Sequence, residues 1–195
     1  MIDFIEGKLV EKTPTYVVIA CGGVGYVMQI SLNTSSRLVA DATCKLFAEQ
    51  TYVRDDLPRF YGFFDREERV LFRALISVSG VGGNSAMLML SSLAAEDIQK
   101  AIATGDVNLL KSVKGIGEKT AQRIIVDLKG KLGKVDGLTD KMVFSDNKTR
   151  NEALSALVML GFVKNTAEKA VDKVYRSEGN VVSVEQLIKQ ALKYL

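Results

Sequence analysis

The spacing of hydrophobic positions changes along the chain, and the changes mark out its parts. Tyr16–Ala20 and Tyr26–Ile30 are β-branched and aromatic runs on either side of Gly22-Gly23-Val24-Gly25, a tight-turn signal. Leu46–Val53 alternates loosely, and Arg59–Phe63 follows a turn signal at Asp55-Asp56-Leu57-Pro58. About four to six short strands within residues 1–64 predict a small closed or nearly closed barrel. From Asp65 the period becomes helical: acids occupy a first turn, and Val70, Leu71, Ala74 and Leu75 fall on one face. Helical periodicity continues to about Leu132. Gly133 to Lys148, rich in Gly, Asp, Ser and Asn with isolated Met142 and Val143, reads as a linker. The remaining residues are helical again, in three pieces broken at Gly161 and at Gly179-Asn180.

The helical middle contains a repeat at an offset of 35 residues, from Gly80 to Gly115. Leu75 to Ala86 aligns with Leu110 to Ala121; Ser77/Ser112, Val78/Val113, Gly80/Gly115, Gly82/Gly117 and Ala86/Ala121 are identical, and Val81/Ile116 and Ser85/Thr120 nearly so. Each copy is an apolar helix end, a Gly-β-branched-Gly turn and a hydroxyl residue opening a new helix. Two glycines allow positive φ and leave the backbone bare to a close-approaching partner. The helix that follows offers free N–H groups and the positive end of its dipole. Together these make a nest for a phosphate oxygen, with Val81 and Ile116 turned inward as braces. Lys119 and Arg123 share one helix face and can reach neighbouring phosphates. A glycine that merely ends a helix is the bland alternative for one copy, but it does not explain two copies in register. These units resemble helix-hairpin-helix elements, which grip nucleic-acid backbones without reading bases.

Composition narrows the picture. Hydrophobic residues at 47% and charged residues at 25% exclude wholesale disorder, and 195 residues suit one or two domains. The formal charge is only +3, but it is unevenly spread: residues 1–64 are net −1 and residues 65–135 net +3. Within 105–134, Lys111, Lys114, Lys119, Arg123, Lys129, Lys131 and Lys134 outnumber Asp106, Glu118 and Asp127. That local excess fits an anion-binding face. It also fits a solvated helix face, and charge alone leaves both open. Histidine is absent, and Cys21 and Cys44 form no CxxC, so the usual zinc sets and imidazole-dependent nucleophiles are excluded. No phosphate-binding P-loop and no strand-borne GxGxxG are present. No apolar run approaches the ~18–20 residues needed to span a bilayer, and the start of the chain lacks signal-peptide features. The expectation is a cytoplasmic binding protein with reduced thiols, no metal, no cofactor, no membrane association and no catalytic residues.

The order of these parts resembles the RuvA family of Holliday-junction-binding subunits along the whole chain. The most specific stretches are Gly22-Gly23-Val24-Gly25-Tyr26, Val53-Arg54-Asp55-Asp56, Tyr61-Gly62-Phe63, Gly80-Val81-Gly82 and Gly115 to Ala121. The resemblance implies a multidomain α+β fold. An OB-like barrel at 1–64 would carry an acidic pin and oligomer contacts, followed by an all-α tandem helix-hairpin-helix domain at 65–141. A flexible linker at 142–148 would lead to a three-helix, ubiquitin-associated-like module at 149–195. It further implies sequence-independent binding of four-way junction DNA in recombination, DNA repair and the SOS response. The partners implied are the hexameric ATPase motor RuvB and, in a larger complex, the RuvC resolvase. The implied assembly is a homotetramer, with two stacked tetramers left open.

Residue by residue, the resemblance implies backbone contacts from Gly80, Val81, Gly82, Ser85, Gly115, Ile116, Gly117, Lys119, Thr120 and Arg123, joined by Arg54. Asp55 and Asp56 match the acidic pin, although Asp-Asp-Leu-Pro is also a good turn in its own right. Leu157, Leu160 and Phe162 are candidates for the motor-binding surface, with core packing the alternative for each. Two positions depart from the family: Asn84 and Glu118 stand where relatives often carry lysine. A competing enzymatic expectation comes from helix-hairpin-helix glycosylases, with Lys119 as nucleophile and Asp136 as carboxylate. The linker composition around Asp136 and the duplicated hairpin argue against it.

Overall fold

A computed structural model describes residues 2–52, 57–130, 145–178 and 183–195 of the protein. The strands are β1 (Phe4–Lys12), β2 (Tyr16–Cys21), β3 (Val24–Ile30), β4 (Thr43–Thr51) and β5 (Arg59–Phe63). They close into a barrel in the order β1-β2-β3-β5-β4, with a short helix, α1 (Leu32–Arg37), between β3 and β4. This is the arrangement of an OB fold. The β2–β3 hairpin turns on Gly22-Gly23, and β3 and β5 make the parallel closure through Gln29↔Tyr61 and Ile30↔Gly62. Alternate residues point inward, so Ile5, Leu9, Val17, Ile19, Met28, Ile30, Leu46 and Ala48 fill the interior.

The barrel is joined to the helical region by α2 (Arg66–Ile76), which Asp65 caps through the Glu68 N–H at 2.9 Å. Phe72 of α2 meets Tyr61 and Phe63 of β5, with ring centroids 4.7 and 5.0 Å apart. Each such pair adds about 0.5–1.5 kcal/mol beyond its buried area. Three charged residues of α2, Glu68, Arg69 and Arg73, face the barrel too. Arg69 donates to the Asp3 carboxylate at 2.6 Å and the Asp3 carbonyl at 2.7 Å, and Arg73 pairs with Glu49 at 2.5 Å. Glu68 is buried and accepts from the hydroxyls of Ser31 and of Thr34, the latter at 2.6 Å. Sequence periodicity placed Glu68 simply as an acid in a first turn. In the structure it ties α1 to α2.

Four further helices complete this part of the chain: α3 (Gly83–Ser92), α4 (Ala95–Thr104), α5 (Val107–Lys111) and α6 (Glu118–Leu128). They share one core with α2 and the end of β5, built from Leu71, Leu75, Leu90, Ile98, Ile102, Leu110 and Ile124 among others. The barrel and these helices belong to one compact unit, Met1–Leu138, and the rest of the chain forms a second, Thr139–Leu195. In the second unit α7 (Ser145–Met159), α8 (Lys164–Glu178) and α9 (Val184–Ala191) pack around Ala153, Leu157, Ala170, Val171, Val174 and Leu187. Arg150 bridges α7 to Asp172 and Glu168 of α8, at 2.6 and 3.4 Å. Ser183 opens α9 with a reciprocal capping box to Gln186. The helical break at Gly161 is present, with φ +99°. α7 starts at Ser145, inside the stretch whose composition reads as linker.

Burial pushes the Glu68 carboxyl above its ordinary range, partly offset by the Ser31 and Thr34 hydroxyls. A raised pKa means the folded state holds this proton more tightly than the unfolded chain. The resulting stability is present at low pH and is lost as pH rises through the folded pKa. Glu68→Gln removes that titration. The melting temperature of the variant relative to wild type should therefore rise as the pH increases above the ordinary carboxylate range, about pH 4. A pH-independent difference in thermal melts would mean that Glu68 titrates normally.

Candidate nucleic-acid interface

The two Gly-β-branched-Gly turns are superimposable in their hydrogen bonding. Val81 N–H donates to the Val78 carbonyl at 3.0 Å, and Ile116 N–H to the Val113 carbonyl at 3.1 Å. Ala86 N–H reaches the Gly82 carbonyl at 3.0 Å, and Ala121 N–H the Gly117 carbonyl at 2.9 Å. Gly80 and Gly115 have φ of +93° and +88°, which favours glycine. Val81 and Ile116 are each 5% exposed and sit in the helical core, as their apolar character requires. Burying that one side chain turns the glycines on either side to the surface.

Gly82 and Gly117 are the N-caps of α3 and α6, and neither supplies a side-chain cap. By contrast, side chains of Ser31, Asp65, Asp106 and Ser183 cap α1, α2, α5 and α9. First-turn N–H groups have no acceptor inside their own helix, so those of Gly83–Ser85 and Glu118–Thr120 are left for an outside oxygen. A Cβ built on Gly80, Gly82, Gly115 or Gly117 meets no protein atom within 4 Å. The space over both turns is open, as a phosphate nest requires.

The second turn carries the cations. Lys119 is exposed in the first turn of α6 and makes no ion pair with a described residue, whereas Arg123 lies 3.9 Å from Asp127. Glu118 pairs with Lys111 at 3.1 Å, so the acid at the helix start is partly neutralised. At the equivalent places of α3 stand Asn84 and Leu88, and α3 has no charged residue at all. One hairpin is cationic and the other is neutral.

Comparison with known proteins agrees along the chain. Residues 1–62 match the family described as RuvA N terminal domain, residues 72–131 the SAM-like helix-hairpin-helix tandem, and residues 148–195 the RuvA C-terminal domain. A protein of Flavobacterium psychrophilum named Holliday junction branch migration complex subunit RuvA is 48% identical over 195 residues, covering all of both chains. Proteins of the same name from Christiangramia forsetii and Bacteroides fragilis are 47% and 43% identical, again over the full length of both chains. The chain belongs to the RuvA family.

In this RuvA-family chain the sequence-derived contact residues Gly80, Val81, Gly82, Ser85, Gly115, Ile116, Gly117, Lys119, Thr120 and Arg123 fall into the two turns and the helices they open. Val81 and Ile116 have buried side chains, as their bracing role in the turns requires. Arg54, Asp55 and Asp56 lie outside the described residues, as does Asp136. Lys119 stands exposed on a helix surface rather than enclosed as a base-pocket nucleophile would be.

In the C-terminal unit Leu157 is fully buried and belongs to the core, whereas Phe162 is half-buried, packed against that core with part of its ring at the surface. Leu160 is 63% exposed, and its exposed apolar neighbours are Met159 at 89% and Val163 at 70%, which the sequence reading did not pick out. Among the described residues no group of His, Cys, Asp and Glu suits a metal ion, and no helix is long and apolar enough to cross a membrane.

The two glycines of each turn should respond differently to alanine. At Gly117 the backbone is extended and the methyl meets nothing, so Gly117→Ala should cost only the modest penalty of alanine at an N-cap while weakening DNA binding. At Gly115 the same change forces a side chain into the left-handed region and should destabilise the fold by about 1–2 kcal/mol. Replacing Lys119 and Arg123 together by alanine should reduce the salt dependence of binding by roughly one unit per lost phosphate contact. Thermal melts and salt-titrated gel shifts check all three, and normal DNA binding by Gly117→Ala would exclude the turn as a phosphate site.

Proposed function

We propose that this chain holds four-way (Holliday) junction DNA by its sugar-phosphate backbone and presents it to the RuvB ATPase motor for branch migration. The observation that carries the reading is the pair of uncapped helix N-termini under bare glycines, repeated 35 residues apart within one compact unit. Such a pair contacts phosphates at two places and has no element that reads bases. Full-length relatives named as branch migration complex subunits support the same role. The subunit is non-catalytic, and the ATPase sits in the partner chain.

The division of labour follows the four segments. The barrel at 1–64 brings the Asp55-Asp56 pin to the junction centre, where each close carboxylate–phosphate pair is repelled by about 1 kcal/mol even in water. The tandem hairpins at 65–141 hold the arms, and a linker ending before α7 at Ser145 joins them to the C-terminal module, which meets the motor with the exposed apolar surface around Gly161. Assembly as a homotetramer, alone or as two stacked tetramers, surrounds the junction, and RuvC joins a larger complex in the cytoplasm.

Gel shifts with a four-way junction and a linear duplex of equal length test the reading. Junction binding should be the tighter and independent of base sequence, and Asp55→Asn with Asp56→Asn should raise duplex binding more than junction binding. A chain ending at Lys141 should still bind junctions but fail to stimulate the motor's ATPase. Equal affinity of the wild type for junction and duplex at moderate salt would refute junction recognition.

A further inference from the structure

The two hairpins differ in how they are held as well as in charge. α5 and α6 pack on α4 and α2, so the second hairpin is braced by helices. The first hairpin lies between α2 and α3, and both of these are fastened to the barrel. α2 is held by the Glu68, Arg69 and Arg73 contacts described above.

α3 is held at its two ends. At its N-terminus Gly83 lies against the Tyr61 ring of β5, so close that a Cβ there would sit 2.2 Å from the hydroxyl oxygen. At its C-terminus the Asn33 carboxamide donates to the Leu90 carbonyl at 2.6 Å and the Leu93 carbonyl at 3.3 Å. Ser91 Oγ accepts the Leu32 N–H at 3.1 Å while donating to the Met87 carbonyl at 2.7 Å. Terminal carbonyls that the helix cannot satisfy itself are thus satisfied by α1. The end that would meet DNA stays open, and the opposite end is capped by the barrel.

This mounting matters because α3 has no cation. Lys119 and Arg123 can attract a phosphate over a range of distances. The α3 amides attract one only at hydrogen-bond range and in line, since such bonds weaken steeply with misalignment. Gly83 replaces the Glu118 of the second copy, and that substitution is what lets Tyr61 approach.

We infer that Asn33 and the Tyr61–Gly83 contact are positioning elements for DNA binding: they fix the neutral first hairpin on the barrel so that its amides meet a phosphate without help from a side-chain charge. The inference rests on the junction-binding role proposed above and assigns that role to residues outside the hairpins. Asn33 is exposed, and its loss removes two surface hydrogen bonds from a chain that retains its core.

The test uses the full-length chain with Asn33→Ala, Gly83→Ala and, as the control, Gly117→Ala, each measured for junction affinity across a salt series and for melting temperature. Asn33→Ala and Gly83→Ala should each weaken junction binding by about tenfold, the loss expected of one amide–phosphate hydrogen bond. The salt dependence should stay at the wild-type slope, because no cation is removed. A purely structural role would lower the melting temperature and leave the affinity of the folded fraction unchanged, and that result overturns the inference. So does a fall in slope together with affinity, which would mean that the cationic hairpin had moved. Should Gly83→Ala not fold, Asn33→Ala decides alone. Wild-type affinity in both variants with weakened Gly117→Ala overturns the positioning role and leaves the hairpins as the DNA site. Wild-type affinity in all three removes the hairpin reading itself.

Discussion

Burial of one β-branched side chain in each hairpin is the constraint on which the interface depends. Val81 and Ile116 leave water for the helical core, and fully burying such a side chain is worth about 1.5–3 kcal/mol. Anchoring the middle residue turns its two glycine neighbours outward. The first glycine then has positive φ and the second starts a new helix with no side chain over its amides. The same packing that stabilises the helical region thereby exposes the groups that bind an anion. A site made of backbone in this way has no stronger hydrogen-bond partner of its own to displace.

The barrel's relation to the helices follows from charge as much as from apolar packing. Arg69 and Glu68 are both buried, and a buried charge is tolerable only with partners. Asp3, the Ala48 carbonyl, Ser31 and Thr34 are those partners, and all of them belong to the barrel or to the helix within it. Both groups thus find their partners only with α2 docked on the barrel. The first hairpin, between α2 and α3, is fastened to the barrel on both sides. The second hairpin has cations that tolerate looser placement.

Much of this was legible in the sequence, for reasons that can be named. β2, β3 and β5 carry dense β-branched and aromatic runs, Asp65 is a strong cap before an apolar helix face, and the 35-residue repeat fixed both turns. β1 was not legible. Only Ile5 and Leu9 of its nine residues are buried, charged residues surround them, and a bulge between Leu9 and Glu11 shifts its phase. α1 escaped because its inward side is polar: Thr34 and Ser35 are buried, so no apolar period marks it. Glu68 looked like a dipole acid, since only the fold brings it to Ser31 and Thr34. Leu157 and Leu160 are alike in sequence, but Leu157 lies within α7 and is buried, whereas Leu160 lies past the helix end at Met159, in the turn before Gly161, and is exposed. Gly83 carried a readable signal as the one glycine that breaks the repeat, but its partner Tyr61 is visible only in the fold.

The most direct measurement of the central claim is amide hydrogen exchange of the full-length protein with and without a four-way junction. First-turn amides of α3 and α6 lack intrahelical acceptors and should exchange rapidly in the free protein. On junction binding, the account predicts slowed exchange within Gly83–Ser85 and within Glu118–Thr120, with the buried centres of α3 and α6 unaffected. Exchange that stays rapid in both first turns on saturating junction would contradict it, because the phosphates would then be held by something other than the hairpin amides.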